Sequence, residues 1–316
     1  MRKLCHLLLM WGVITLPSSF ASAELNQAAL KRGTHKVQLG DVRIHYVVAG
    51  HGPLVFVTSV GWGLGATLER NCFKPLESNF TLVFVDERGN GESSLPADLK
   101  DMSTSIMADD LDRLRSYLGV DDITLMGHSG GGTIALEYAE RYPKHLSKGI
   151  IIDARIMGDD GGRDTDVFLS LWKDDPKYKE AIINLARIPE HFKTDEEATE
   201  SMSSYQDIYF SKPSIYVPIY LRQSGQDINV SAVTQNAHNE ADQLANRQQP
   251  KDYGVIEAKL LIINGTVDAI CPYQPAQRLH EAVPGSVLDL YANVGHFPYI
   301  EEPDRFIHDV AEFLSH

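Results

Sequence analysis

The chain has 316 residues, 43% of them apolar and 23% charged, enough to bury a full core at ordinary globular composition. Its 43 acids and 29 bases leave a net charge of −14, which argues against a nucleic-acid partner, because phosphate binding needs clustered Lys and Arg. An acidic balance keeps a protein soluble and names no substrate.

The first element in the chain is a leader. Arg2 and Lys3 precede an apolar run from Leu4 to Leu16, and SSFASA closes with an A-x-A at Ala23. That order of charge, short hydrophobic stretch and small residues predicts a signal peptide over 1–23. The run is too short to span a bilayer comfortably, so no stable membrane insertion is expected. The mature chain is expected to begin at Glu24, exported to the periplasm or beyond. Cys5 leaves with the leader, and Cys72 and Cys271 remain, either as one disulfide or as two free thiols. No CxxC or HExxH spacing occurs, so neither a metal nor a cofactor is expected.

Apolar, β-branched runs follow at 42–50, 53–59, 80–86, 123–128, 149–153, 260–264 and 287–291. Several are continuous, as strands covered on both faces are. Met107, Leu111, Leu114 and Leu118 mark one face of a helix, and Phe306, Ile307, Val310, Phe313 and Leu314 mark another after Pro303. Strand–helix alternation predicts an α/β sheet. The rhythm breaks over 156–252, a helical or irregular stretch carrying about half the net charge. It is too long for a loop. The predicted organisation is a core of 24–155 and 253–316 with a lid over 156–252. The acids of this stretch are expected on a solvated face, and its aromatics Phe168, Trp172, Tyr205, Tyr209, Phe210, Tyr216 and Tyr220 mostly in its own core, with a subset lining an apolar pocket.

LMGHSGGGTIALEYAERYP (125–143) sets Ser129 between Gly127 and Gly131 where a strand ends and a helix begins. A capping serine in a glycine-rich turn would account for part of this. A nucleophile elbow accounts for all of it, since flanking small residues allow the sharp turn that lifts a hydroxyl above the sheet. Asp268 follows the run 260–264 and His296 follows 287–291, giving the chain order serine, acid, histidine at three strand ends. Asp153, at the end of 149–153, is the rival acid. His128 is placed to pack beneath the elbow or to touch the substrate pocket. His238 meets either solvent or substrate. Trp62 forms either a pocket wall or core. Asp86 and Arg88 are expected to brace the loop they occupy.

DERGNGESS (86–94), GHSGG (127–131), NGTVDAICP (264–272) and GHFPYIEEP (295–303) together resemble the α/β-hydrolase superfamily over essentially the whole mature chain. The first of these, with the helix GGTIALEYAERYP, is most similar to proline iminopeptidases. The resemblance implies an eight-stranded, mostly parallel sheet with a helical lid after the sixth strand. It also implies Ser129 as nucleophile, His296 as base, Asp268 as orienting acid, and an oxyanion hole of the Val60 and Gly130 backbone N–H groups, with Gly61 in place of Val60 if the register slips by one. The chain departs from the family at TSVGWG (58–63), where Thr58 and Ser59 replace His-Gly; this weakens the peptidase reading. Serine at the elbow sets the chain apart from dehalogenases and epoxide hydrolases of the fold, which use aspartate there. The expected function is hydrolysis of an ester or amide of a small molecule through an acyl-enzyme. Alternatives are a proline iminopeptidase-like aminopeptidase, a lactonase, or a hydrolase-fold binding protein without catalysis. The sequence does not set the oligomeric state.

Overall fold

A computed structural model of the chain describes residues 25–159, 161–225, 228–246 and 251–316. The predicted leader, 1–23, lies outside the described residues. Eight strands, β1 (Gly33–Leu39), β2 (Val42–Gly50), β3 (Leu54–Thr58), β4 (Thr81–Asp86), β5 (Ile123–His128), β6 (Leu146–Ile152), β7 (Lys259–Gly265) and β8 (Val287–Tyr291), form one sheet. Their order is β1-β2-β4-β3-β5-β6-β7-β8. β2 runs antiparallel to both of its neighbours, and the remaining pairs are parallel. Seven strands fall on the predicted runs. β1 was missed because GTHKVQL is polar, as befits an edge strand exposed along most of its length.

The helices are α1 (Thr67–Cys72), α2 (Thr104–Leu118), α3 (Gly130–Arg141), α4 (Gly161–Trp172), α5 (Lys179–Leu185), α6 (Asp195–Ser204), α7 (Pro213–Gln223), α8 (Ala232–Asn246), α9 (Tyr273–Ala282), α10 (Pro298–Glu301) and α11 (Pro303–Ser315). None among the described residues is long and apolar enough to cross a membrane. α2 shows how the sequence builds such an element. Ser103 caps it by accepting from the Ile106 N–H, and Gly119 closes it at φ 69°. Met107, Leu111, Leu114 and Leu118 are all buried on its inner face, where each stabilises the fold by about 1.5–3 kcal/mol.

The sheet separates two hydrophobic layers. On one face α2, α3 and α9 cover Phe56, Val83, Val85, Leu125, Ile151 and Ile262. On the other, α1 and α11 cover Val55, Val57, Phe84, Met126, Ile150 and Ile263. The five helices α4–α8 lie between β6 and β7 in the chain. Most of this segment joins the second layer, where Tyr178, Tyr205, Tyr209, Phe210 and Tyr220 pack in one cluster with Phe297 and Ile300, while α8 reaches the first layer through Ala237 and Ala241. This packing brings the segment against the carboxyl ends of the strands.

Candidate active site

Ser129 follows β5 directly, at φ 53° and ψ −118°. Such a conformation costs a non-glycine residue about 1–3 kcal/mol, so its surroundings must hold it there. Its N–H donates to the Ile152 carbonyl at 2.9 Å, and its carbonyl accepts the Thr133 N–H at 3.0 Å. Gly127 and Gly131, the first and last residues of GHSGG, are required for closeness. A Cβ on Gly127 would collide with the Gly131 carbonyl, and one on Gly131 with the Ser59 carbonyl and Thr58. The elbow is therefore squeezed between β6 and the loop after β3.

The loops after β7 and β8 are joined to each other. Thr266 N donates to Tyr291 O at 2.9 Å and Val267 N to Val294 O at 3.0 Å, while Gly265 leaves no room for a Cβ beneath Val294 and Gly295. This union sets Asp268 beside His296. Asp268 Oδ2 accepts from His296 Nδ1 at 2.7 Å, and His296 Nε2 lies 3.0 Å from Ser129 Oγ. With the Nδ1 proton directed to the carboxylate, Nε2 is left to accept from the serine hydroxyl. Asp268 Oδ1 accepts the Ile270 and Cys271 N–H groups at 2.7 and 3.0 Å, so this buried carboxylate is fully engaged. Tyr209 stacks on the His296 ring at 5.5 Å, and its carbonyl accepts the His296 N–H at 2.7 Å.

Asp153, the rival acid, is in the same nest but does not reach the imidazole. One of its oxygens accepts the Gly265 N–H at 2.8 Å, and the other has no hydrogen-bond partner among the described residues. Complete burial, reinforced by the negative charge of Asp268, raises its pKa well above the usual carboxylate range. The two carboxyls thus divide their partners: Asp153 holds the Gly265 N–H, and Asp268 holds the histidine.

His128 is not on the pocket, which corrects the expectation that it touches substrate. It is buried under the elbow, with Nε2 on the His296 carbonyl at 2.6 Å and Nδ1 on the Tyr299 hydroxyl at 3.0 Å. A carbonyl only accepts, so Nε2 carries the proton and Nδ1 accepts from tyrosine. Burial, then the nearby His296, hold the ring neutral by pushing its pKa well below the ordinary value. Asp86 and Arg88 are braces, as expected. Asp86 accepts from Ala66 N, Glu92 N and His45 Nδ1, and Arg88 forks onto Asp110 at 2.6 and 2.9 Å.

Ser129 opens into a cavity of ≈ 240 Å³. Val60, Trp62, Gly130 and Ile270 line its core side; Thr234, Gln235, His238, Asn239 and Asp242, all on α8, line the other. The Val60 and Gly130 N–H groups have no acceptor among the described residues, and both residues face this space. Trp62 serves as both wall and packing partner, at φ 64° between Gly61 at φ 91° and Gly63 at φ 80°. His238 is on the cavity and not on a solvated face. It donates Nδ1–H to the Met102 carbonyl at 2.8 Å and holds Nε2 3.5 Å from Asp242. None of the seven insertion aromatics lines the cavity. They pack with one another and with Phe297 instead, so the expectation of an apolar pocket roofed by them is corrected to a polar wall supplied by α8. A larger depression of ≈ 540 Å³ between the insertion and the core, walled by Trp172, Tyr178, Lys212 and Asn293, contains none of Ser129, His296 or Asp268.

Two contributors escaped the sequence reading. Glu87, inside the quoted DERGNGESS, accepts the Ser59 N–H at 2.9 Å and bonds the Ser59 hydroxyl, tying down the loop that carries Val60. Burial raises its pKa to about 8. Arg155, three residues past β6, extends into the cavity with its side chain 60% exposed. Its place inside DERGNGESS, beside Asp86, was the sequence signal for Glu87; Arg155 had none. Cys72 and Cys271 are free thiols. The Cys271 sulfur, an Asp268 oxygen and a His296 nitrogen lie within 4.8 Å of one another. These groups suit proton transfer better than metal ligation, since Asp268 and His296 already bond each other and burial keeps the thiol protonated.

The model of the alpha/beta hydrolase fold family matches residues 55–303. The chain belongs to that family. Among similar proteins, an uncharacterised protein of Mycobacterium tuberculosis is 24% identical over 85% of this chain and 77% of its own length. The proline iminopeptidase of Clostridium botulinum is 25% identical over 77% of this chain and 83% of its own. An esterase from Exiguobacterium antarcticum superposes with a TM-score of 0.67 at 23% identity, covering 90% of this chain and all of that one.

Proposed function

We propose that the protein is a serine hydrolase acting on an ester or amide of a small molecule. The observation that carries this reading is the unbroken line Ser129 Oγ–His296 Nε2, His296 Nδ1–Asp268 Oδ2, at 3.0 and 2.7 Å, opening on a cavity with two unpaired backbone N–H groups. In the proposed reaction Ser129 attacks the carbonyl carbon as His296 takes its proton. The oxyanion forms at the Val60 and Gly130 N–H groups, at the positive end of α3. His296 returns the proton to the leaving group, and water then releases the acyl group by the same steps. Asp268 holds the tautomer and balances the imidazolium. The segment 156–252 is proposed as the lid of this site, with α8 its working face.

Turnover of 4-nitrophenyl acetate by the wild type, abolished in Ser129→Ala with the fold intact, tests the reading. No turnover of esters, lactones or aminoacyl amides by the wild type would favour a binding protein instead. Export is a separate proposal, resting on the leader pattern of 1–23. A mature chain beginning near Glu24 after expression with the leader would support it, and an intact Met1 species in the cytoplasm would overturn it.

A further inference from the structure

The charged groups on this cavity carry the reading one step further, to the kind of substrate; the step rests on the cavity at Ser129 being the substrate site. Residue 155 is tied to the elbow through one hydroxyl. Thr133 Oγ1 lies 3.2 Å from the Ser129 carbonyl and 2.9 Å from the Arg155 carbonyl, with its one proton shared between them. The guanidinium beyond it meets only Asp242 and the Met157 sulfur among the described residues, both through one nitrogen and both at 3.3 Å. A guanidinium has five donors, so most of this fork has no partner among the described residues, and the residue lines the cavity at Ser129 as well as a neighbouring depression beside Met157 and Cys271. Asp242 is the opposite case. Its side chain is only 4% exposed; Oδ1 accepts Thr104 N and Oδ2 accepts Thr104 Oγ1, both at 2.8 Å, and Oδ2 also faces Arg155 and His238. This buried carboxylate already holds both Thr104 donors and the Arg155 cation. A substrate ammonium would have to displace that cation, whereas an anion would find one with donors to spare. The chain as a whole carries −14, so no general field draws anions in, and the attraction must be local.

We infer that Arg155 is an anion-binding group of the active-site cavity, and that the substrate carries a carboxylate beside the bond that is cleaved. The Arg fork and a carboxylate match in shape as well as charge. Asp242 holds the fork at one nitrogen, and Thr104 holds Asp242.

The test compares succinate with uncharged succinamide as inhibitors of 4-nitrophenyl acetate hydrolysis, and as ligands of Ser129→Ala measured by calorimetry. Succinate is expected to bind about 10- to 100-fold more tightly than succinamide, the size of a charge-assisted hydrogen bond. Arg155→Gln should collapse that ratio toward one. Arg155→Lys, which keeps the charge but loses the fork, should fall between, and serves if the glutamine variant does not fold. Asp242→Asn should preserve or enlarge the ratio, because it releases the fork. Equal binding of the two compounds, a ratio indifferent to Arg155, or preferential binding of alaninamide lost in Asp242→Asn would overturn the inference. Ester turnover without succinate preference would remove the anion site and leave the hydrolase standing. Arg155-dependent succinate binding without turnover of any ester, lactone or amide would do the reverse.

Discussion

The two walls of the cavity are built on different principles. The core wall consists of strand ends whose loops are laced together by backbone hydrogen bonds, from Ser129 N on Ile152 O to Val267 N on Val294 O. Its geometry follows from the sheet, and the side chains have little freedom to be elsewhere. The α8 wall is a single helix face whose polar side chains are set by contacts to remote elements, such as His238 on Met102 O and Asp242 on Thr104. On the proposed function the core wall would hold the chemistry, and the α8 wall, with Arg155 bonded to its Asp242, would hold the selectivity. A fold that varies its inserted segment can change substrate without touching the reaction.

That division is broken most sharply on the core side. Ser129→Ala and His296→Ala are each expected to lower kcat roughly 10⁴-fold or more, with the double variant little worse than either. Steady-state kinetics with 4-nitrophenyl acetate decide it, and additive losses would mean the two do not act together. The next largest effect separates the two buried acids. Asp268→Asn should cost about 10⁴-fold in kcat by holding the wrong imidazole tautomer. Asp153→Asn should stay within about tenfold, because Asp153 makes no bond to the imidazole and an amide oxygen can still accept the Gly265 N–H. A crippled Asp153→Asn beside a healthy Asp268→Asn would reverse the assignment.

Trp62 belongs to the core wall but touches the contents of the cavity, so it sharpens the boundary. Trp62→Ala should shift the ranking of 4-nitrophenyl esters toward longer acyl chains by a few-fold. Because the side chain is only half-buried, the loss of stability should fall below the ~3–5 kcal/mol of a fully buried aromatic. An unchanged ranking with a large loss of stability would make it purely structural.

The smallest effect concerns stability behind the core wall. Glu69 in α1 is fully buried, neither oxygen has a hydrogen-bond partner among the described residues, and burial, with added repulsion from Glu87 and Asp86, raises its pKa to about 8. Its ordinary value is 4.5, so the folded state favours the protonated acid. That contribution is complete below about pH 4.5 and is lost as pH climbs through about 8. Glu69→Gln should therefore melt close to wild type at pH 5 and at higher temperature than wild type at pH 9. Glu87 titrates over the same window, so the pH dependence flattens without vanishing. Equal differences at both pH values would place the charge of Glu69 elsewhere.

What could be read from the sequence lay where chain neighbours dictate the structure. An apolar run, a tight turn and a helix with small residues leave Ser129 one place to be, and strand ends put Asp268 and His296 on loops at the same edge of a parallel sheet. Asp153 and Asp268 could both be proposed for the same reason, and the choice between them required knowing which carboxyl meets the imidazole. The edge strand β1 was hidden because a strand with solvent on most of its length needs no apolar pattern. The expectation of an aromatic pocket failed for a related cause. Tyr209, Phe210 and Tyr220 are as apolar in sequence as any pocket wall, and only packing against Phe297 shows that their faces are already taken.

By itself, then, the sequence determined the layered α/β sheet, the elbow, and the three residues in line at the strand ends, because short-range sterics and the period of apolar residues act along the chain. Tertiary structure alone decided that α8 presents polar groups, that Thr104 holds Asp242 from 138 positions away, and that Arg155 is left with donors to spare. Hydrogen-bond saturation and burial are properties of groups that meet in space, and no local pattern records which residues will meet.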